Sequence, residues 1–372
     1  MRRRSFLATP LIAGIAPAVA AAAVDTRDTR VFASGDGIPY TPQEHAALLT
    51  QLTASLEPDD YSRGGVVETL EKKVAAALGK ETAVWLPTGT LANHLALRLL
   101  AGDRRRVMVQ QECHLYNDCG DCCQTLSGLN MIPLAPGQAT FTLADVEGAA
   151  ARGTSGRVAV PIGALQIESP VRRRTGEAFD WAEMKRITAW GRANRVGLHL
   201  DGARLFLAAA YSGVPVRDYA ALFDTVYVSM YKYFNAPSGA MLAGPKSLLE
   251  NLFQTRRMFG GGVYHSWPSA AVALHHFDGF PERFARAVAI SEKVLASLSG
   301  ESRLEVRRVP NGTNIFFLRV RGADPAAFGQ KLRAAGVTAG QPRDGEFTLQ
   351  VNETWNRATP EEIAARFRKA LS

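Results

Sequence analysis

The chain has 372 residues, 47% hydrophobic and 21% charged, the composition of an ordinary globular protein with room for one large domain and a smaller one. Its formal charge of +8 falls to about +5 once Arg2, Arg3 and Arg4 are set apart with a removable leader. The other basic residues are scattered, apart from Arg172-Arg173-Arg174 and Arg256-Arg257, and no aromatics interleave with a basic stripe, which argues against nucleic-acid binding.

Residues 1–23 read as an address. Three arginines precede Ser5-Phe6-Leu7, an apolar, Ala-rich run follows from Leu11 to Val19, and Ala18-Val19-Ala20 offers a small-residue cleavage site. Arg3-Arg4-Ser5-Phe6-Leu7 resembles a twin-arginine (Tat) signal, which predicts an exported, periplasmic protein. The apolar run is shorter than the ~20 residues of a spanning helix, so no membrane contact is expected after signal removal. Tat export carries folded proteins, which allows a cofactor to be installed beforehand.

Val31 to Asp36 is the first expected mature element, with Ser34-Gly35-Asp36-Gly37 as a turn, followed by helices over 41–56 and 67–78, the second closed by Gly79. Thr82 to Leu86 reads as a strand, and Pro87-Thr88-Gly89-Thr90 opens a helix over 91–100. A strand, a Gly-containing turn and a helix N-terminus together make an anion site. Arg106 to Gln110 is another strand, followed by Glu112-Cys113-His114. All four cysteines fall at 113, 119, 122 and 123. Buried core thiols, a disulfide and a metal site all remain open readings for them. Strands follow at 158–167, 196–200 and 225–230, with Asp180 capping a helix over 180–194 and Arg172-Arg173-Arg174 read as a solvated loop. A turn and return strand lie at 237–244, then a helix over 246–258 broken by Gly260-Gly261-Gly262. A long helical stretch over 269–298 should kink at Pro281. Strands at 304–309, 314–320 and 346–352 and helices at 325–335 and 359–371 complete a small α+β unit.

Alternating strands and helices from Thr82 to Ala243 predict a mostly parallel sheet with helices on both faces. The expected organisation is a signal at 1–23, a large α/β domain at 24–262 with an N-terminal arm at 24–66, and a C-terminal unit at 263–372. In such a sheet ligands gather beyond the carboxyl ends of the strands. Asp201 ends one central strand and Lys232 lies just past the next. An amine and a carboxylate delivered to that edge suit pyridoxal 5′-phosphate (PLP): the amine attaches the cofactor and the carboxylate pairs with its ring nitrogen.

Three stretches in chain order resemble the L-threonine aldolase / β-eliminating lyase family, PLP enzymes of fold type I. They are Trp85-Leu86-Pro87-Thr88-Gly89-Thr90-Leu91-Ala92-Asn93, His199-Leu200-Asp201-Gly202-Ala203-Arg204-Leu205-Phe206 and Arg256-Arg257-Met258-Phe259-Gly260-Gly261-Gly262. The resemblance implies that Lys232 carries PLP, Asp201 binds its ring nitrogen, and Gly89 and Thr90, with Ser229, bind its phosphate. His114 would cover the ring face, while Arg204 and Ser34 would bind an amino-acid substrate, Arg204 at its α-carboxylate. The implied activity is cleavage of a β-hydroxy-α-amino acid to glycine and an aldehyde, in a homodimer or homotetramer. β-Elimination, racemisation or transamination on the same scaffold are the alternatives, with a non-catalytic exported binding protein as a rival from another class. Departures cluster on the substrate side. Glu168-Ser169-Pro170-Val171 replaces Glu-Asn-Thr-His, Tyr231-Lys232-Tyr233-Phe234-Asn235 replaces Ser-Lys-Gly-Leu-Gly, and the family's C-terminal arginine has no match in Phe347-Thr348-Leu349-Gln350.

Overall fold

A computed structural model describes residues 28–372; the leader read at 1–23 lies outside them. The strands are β1 (Val31–Phe32), β2 (Thr82–Leu86), β3 (Arg106–Gln110), β4 (Asn130–Leu134), β5 (Ile162–Glu168), β6 (Gly197–Asp201), β7 (Thr225–Ser229) and β8 (Ala240–Gly244), then β9 (Leu304–Arg308), β10 (Ile315–Val320), β11 (Val337–Thr338) and β12 (Glu346–Gln350). Seven of them form one sheet in the order β2-β8-β7-β6-β5-β3-β4. Only β8 runs against its neighbours in that sheet. Sheets covered on both faces have strands that read as unbroken apolar runs, and β5, β7 and β8 are buried at every position. The fold is the expected α/β class, the fold type I arrangement, with a mostly parallel sheet.

Helix Gly89–Ala101 lies across the sheet, against β5, β6, β7 and β8. Its buried stripe of Ala92, Leu95, Ala96 and Leu97 is helix-spaced, but Asn93 and His94 are buried with it. Asn93 turns to the site, whereas His94 meets Ser127 Oγ at 2.6 Å. Helix Gly65–Leu78 buries Val67, Leu70, Val74 and Leu78 and stops at Gly79, whose φ of +64° suits glycine.

β9, β10 and β12 form a separate antiparallel sheet. Helices Pro325–Ala334 and Pro360–Leu371 accompany it, and Trp355, Phe328 and Phe347 are buried there. The N-terminal arm is stitched to this unit: β1 pairs in parallel with β11. Asn352, fully buried, donates from Nδ2 to the carbonyls of Phe32 (2.9 Å) and Gly35 (3.0 Å). The arm therefore approaches the large sheet from a fixed anchor.

Several elements differ from the sequence reading. The stretch over 269–298 is two helices, Trp267–Phe277 and Phe280–Leu298, because the chain turns at Gly279 with φ +67°. Pro281 sits in the first turn of the second helix, where its missing N–H costs nothing, rather than kinking one helix. The helix over 246–258 divides into Lys246–Leu249 and Leu252–Met258. β4 and helices Leu143–Thr154 and Leu205–Ser212 were not anticipated. Pro133 disguises β4, and it is tolerated because β4 is an edge strand.

Asn352→Ala should strip the arm of its carbonyl anchors and lower stability by about 1–3 kcal/mol. Urea denaturation would measure this loss, and limited proteolysis should show faster cutting before residue 40.

Candidate active site

The carboxyl ends of β5, β6 and β7 deliver Glu168, Asp201 and Ser229 to one edge of the sheet. Asp201 is 1% exposed, so its carboxylate needs hydrogen bonds to replace water. Asn93 Nδ2 donates to one oxygen at 2.6 Å and the Ala203 backbone N–H to the other at 3.1 Å. Asn93 Oδ1 in turn faces His199 Nε2 at 2.8 Å, and His199 Nδ1 meets Thr225 Oγ1 at 2.8 Å. Burial pushes the His199 imidazole down to about 3, so it is a neutral link in this chain.

Lys232 lies beyond β7 on a loop, its Nζ 5.9 Å from the Tyr227 ring centroid and 4.8 Å from that of Tyr231. Burial lowers its pKa to about 8, and the Arg204 charge acts in the same direction. The opposing pull of Asp201, Asp36 and Glu168 is smaller. Tyr227 reaches from beneath the lysine to Gly89, where an added Cβ would lie 2.0 Å from the tyrosine Oη. Only glycine fits there. Thr88 caps the helix by accepting from Leu91 N at 3.2 Å, which leaves the N–H groups of Gly89 and Thr90 in its first turn. Ser229 Oγ is buried at the end of β7, beside the Tyr227 hydroxyl.

A cavity of about 570 Å³ is lined by Ser34, His114, Asp201, Arg204 and Lys232 together. Thr90 lines another recess of about 290 Å³, while Gly89 and Ser229 line neither. Glu168, fully buried at the end of β5, fixes two walls at once. It accepts the His114 N–H at 2.5 Å and the Arg172 N–H at 2.8 Å. Burial, then the charge of Asp201, pushes its carboxyl well above the usual range. His114 Nδ1 lies 3.1 Å from Asp118 Oδ2, and Arg173 reaches Asp118 Oδ1 at 3.1 Å.

The structure bears on three of the readings. Arg204 lines the cavity with one edge of its guanidinium taken: its Nε donates to Asp36 Oδ2 at 2.8 Å. The run at 172–174 is a short 3₁₀ turn rather than a purely solvated loop, because Arg172 lines the cavity. All four cysteines are free thiols, and no cluster of metal-ligating side chains occurs among the described residues. Asp36, Asn93 and Glu168 belong to the site and were not anticipated in it. Asn93 and Glu168 carried a signal, being polar residues at positions the pattern buries. Asp36 carried none.

The beta-eliminating lyase family model matches residues 41–322. The chain belongs to the beta-eliminating lyase family. It is 29% identical over 237 residues to a low-specificity L-threonine aldolase from Saccharomyces cerevisiae, covering 63% of this chain and 60% of that one. It is 30% identical over 217 residues to an alanine racemase from Cochliobolus carbonum, covering 58% and 55%. The chain thus spans about 60% or less of the length of these curated relatives. A crystal structure from Listeria monocytogenes, described as a candidate L-allo-threonine aldolase, superposes with a TM-score of 0.75 at 25% identity, covering 92% of this chain and 96% of that one.

Enzymes of the beta-eliminating lyase family depend on PLP, and the residues present here fit it. The N–H groups of Gly89 and Thr90 in the first turn of the helix suit a phosphate. Asp201 suits a protonated ring nitrogen, and Lys232 Nζ, with no hydrogen-bond partner among the described residues, suits an aldehyde carbon. Gly89→Ala should drive a methyl group into Tyr227 and weaken PLP retention by at least ten-fold, read by equilibrium dialysis. Adding Tyr227→Phe removes the clashing oxygen and should recover part of that loss.

Proposed function

We propose that this protein is a PLP-dependent carbon–carbon lyase of the threonine aldolase type, cleaving a β-hydroxy-α-amino acid to glycine and an aldehyde. The observation that carries this reading is the convergence of Lys232, Asp201 and His114 on one cavity at the carboxyl edge of a parallel sheet. PLP supplies an electron sink for the pair of electrons left on Cα when a bond to it breaks.

The chain's own residues do the rest. Lys232, largely desolvated, has its pKa lowered to about 8, so more of its amine is unprotonated near neutral pH than in an ordinary lysine. Asp201 holds a proton at the ring nitrogen, and its own orientation is fixed by Asn93 and the Ala203 N–H. Asp36 holds Nε of Arg204, which turns the remaining guanidinium N–H groups toward the cavity to receive the α-carboxylate. His114, steadied at Nδ1 by Asp118, keeps Nε2 to take the proton of the substrate β-hydroxyl.

Racemisation is the second reading, favoured by one observation. The family histidine expected beside the substrate hydroxyl is absent, with Ser169-Pro170-Val171 in its place. Incubation of the PLP-loaded protein with L-threonine, L-phenylserine and L-alanine separates the two. Aldehyde release supports the lyase, whereas conversion of L-alanine to D-alanine without aldehyde would replace it with the racemase.

Export through the Tat route is part of the proposal, supported by Arg3-Arg4-Ser5-Phe6-Leu7. A homodimer or homotetramer is proposed as well, supported by the exposed apolar side chains of Met258, Val263 and Tyr264 within one short segment.

Lys232→Ala should abolish the visible absorbance of lysine-bound PLP while the far-UV circular dichroism stays unchanged. In the unsubstituted apoprotein the rate of PLP capture should rise with pH and reach half its maximum near 8, because the neutral amine is the nucleophile. An ordinary lysine would reach half its maximum near ~10.4. Stopped-flow absorbance across pH 6 to ~11 checks the position of that rise.

A further inference from the structure

Cys119-Gly120-Asp121-Cys122 forms a tight turn between helix His114–Asn117 and helix Cys122–Ser127. Gly120 and Asp121 both have positive φ, +60° and +52°, and the Cys122 N–H points back to the Cys119 carbonyl at 3.4 Å. A four-residue turn closed this way holds its end Cα atoms within ~7 Å, and disulfides span ~4.4–6.8 Å between Cα atoms. The adjacent pair Cys122-Cys123 is disfavoured, since neighbouring Cα atoms are only ~3.8 Å apart and a bond between them would be strained. Both thiols are free. Cys119 is partly exposed, and Cys122, though largely buried, lines the recess of about 290 Å³ that also holds Thr88 and Thr90.

Cys119 also touches the site. Its Sγ lies 3.4 Å from Thr90 Oγ1, in the first turn of the helix whose N-terminus suits a phosphate. We propose that Cys119 and Cys122 are a thiol–disulfide pair whose oxidation loosens the phosphate cradle at Thr90. The pairing is argued from the turn; its effect on PLP rests on the cofactor reading above.

The thiols differ in the way such an exchange needs. Hydrogen bonds from the Cys123 thiol and from backbone N–H groups lower the Cys122 pKa, while burial pushes Cys119 up to about 11. With a low-molecular-weight disulfide such as oxidised glutathione, the Cys122 thiolate attacks one sulfur and releases one glutathione thiolate. Cys119 then attacks the Cys122 sulfur of the mixed disulfide, its proton passes to a glutathione thiolate, and the second glutathione leaves. Two protein thiols are oxidised to one disulfide and one glutathione disulfide is reduced to two thiols. Sγ of Cys119 is thereby drawn toward Cys122 and gives up its contact with Thr90.

The test uses the PLP-loaded mature chain equilibrated in reduced and in oxidised glutathione. Peptide mass spectrometry should find a Cys119–Cys122 disulfide in the oxidised sample, and PLP should dissociate about five-fold more readily there, the equivalent of one neutral hydrogen bond. Cys119→Ser keeps a hydroxyl for Thr90 and should show one PLP affinity in both buffers. Cys122→Ser should remove the redox dependence too and leave no disulfide at Cys119. An oxidised sample in which both thiols stay free, or pair elsewhere, overturns the proposal, and so does a mapped disulfide with unchanged PLP affinity. A chain that binds no PLP in either buffer refutes the cofactor reading and its consequence for the cradle, while the disulfide map still judges the pairing.

Discussion

Everything in the site depends on burying one carboxylate at the end of β6. A charge moved out of water is tolerated only when hydrogen bonds replace the lost solvent. Here the replacement is a relay: Ala203 N and Asn93 for Asp201, His199 for Asn93, Thr225 for His199. The relay crosses from a helix to β6 and on to β7, where His199 and Thr225 are paired in register. A slip of one residue would turn His199 to the other face of the sheet and orphan Asn93. The central register and the orientation of Asp201 are therefore one constraint. His199 can serve in it because burial keeps the ring neutral, adding no second charge to the interior.

The lysine side of the site is set by close packing of backbone. An added Cβ at Gly37 would meet Asn235 Oδ1 at 2.3 Å and the Lys232 carbonyl at 2.4 Å, so the arm rests directly on the lysine loop. The Ile38 N–H donates to Asn235 Oδ1 at 2.7 Å, and Asn235 itself is held at a φ of +57°. The same arm segment brings Asp36 to Arg204 and receives Asn314 Nδ2 on its other oxygen at 3.2 Å. β10 begins just after Asn314, so the small antiparallel sheet helps to position a guanidinium on the large one. Neither part builds the cavity alone.

This division explains what could be read from the chain. Asp201 and Lys232 were legible because each terminates an apolar run, and a parallel sheet sends such ends to one edge. Gly89 and Thr90 were legible because a strand, a turn and a helix start lie together in sequence. The Asp36–Arg204 pair joins residues 168 apart, and no local pattern announces it. The same is true of Asn352, whose amide looks like an ordinary strand-end residue until β1 and β11 are paired. Pro133 misled for a different reason: it is an edge-strand residue, and which strand lies at the edge is a tertiary fact. Cofactor-side residues sit within single supersecondary units, whereas substrate-side residues are assembled across them.

Glu168 ties the two sides together electrostatically. It pairs in register with Asp201 across β5 and β6, so two buried acids stand side by side at the edge of the sheet. Each is satisfied chiefly by neutral donors: Asn93 and Ala203 for one, the His114 and Arg172 backbone N–H groups for the other. Their mutual repulsion shows in the raised pKa of Glu168, behind the effect of burial. Their combined field, with that of Asp36, favours a charged Lys232, against burial and Arg204, which favour a neutral one. An amine near 8 is where these opposing influences meet. Without the acids, burial and Arg204 would carry it lower still; without Arg204 it would move back toward an ordinary lysine. Lys232 owes its lowered pKa first to burial and then to Arg204, tempered by the acids around it, and so to the register and the arm that hold these groups.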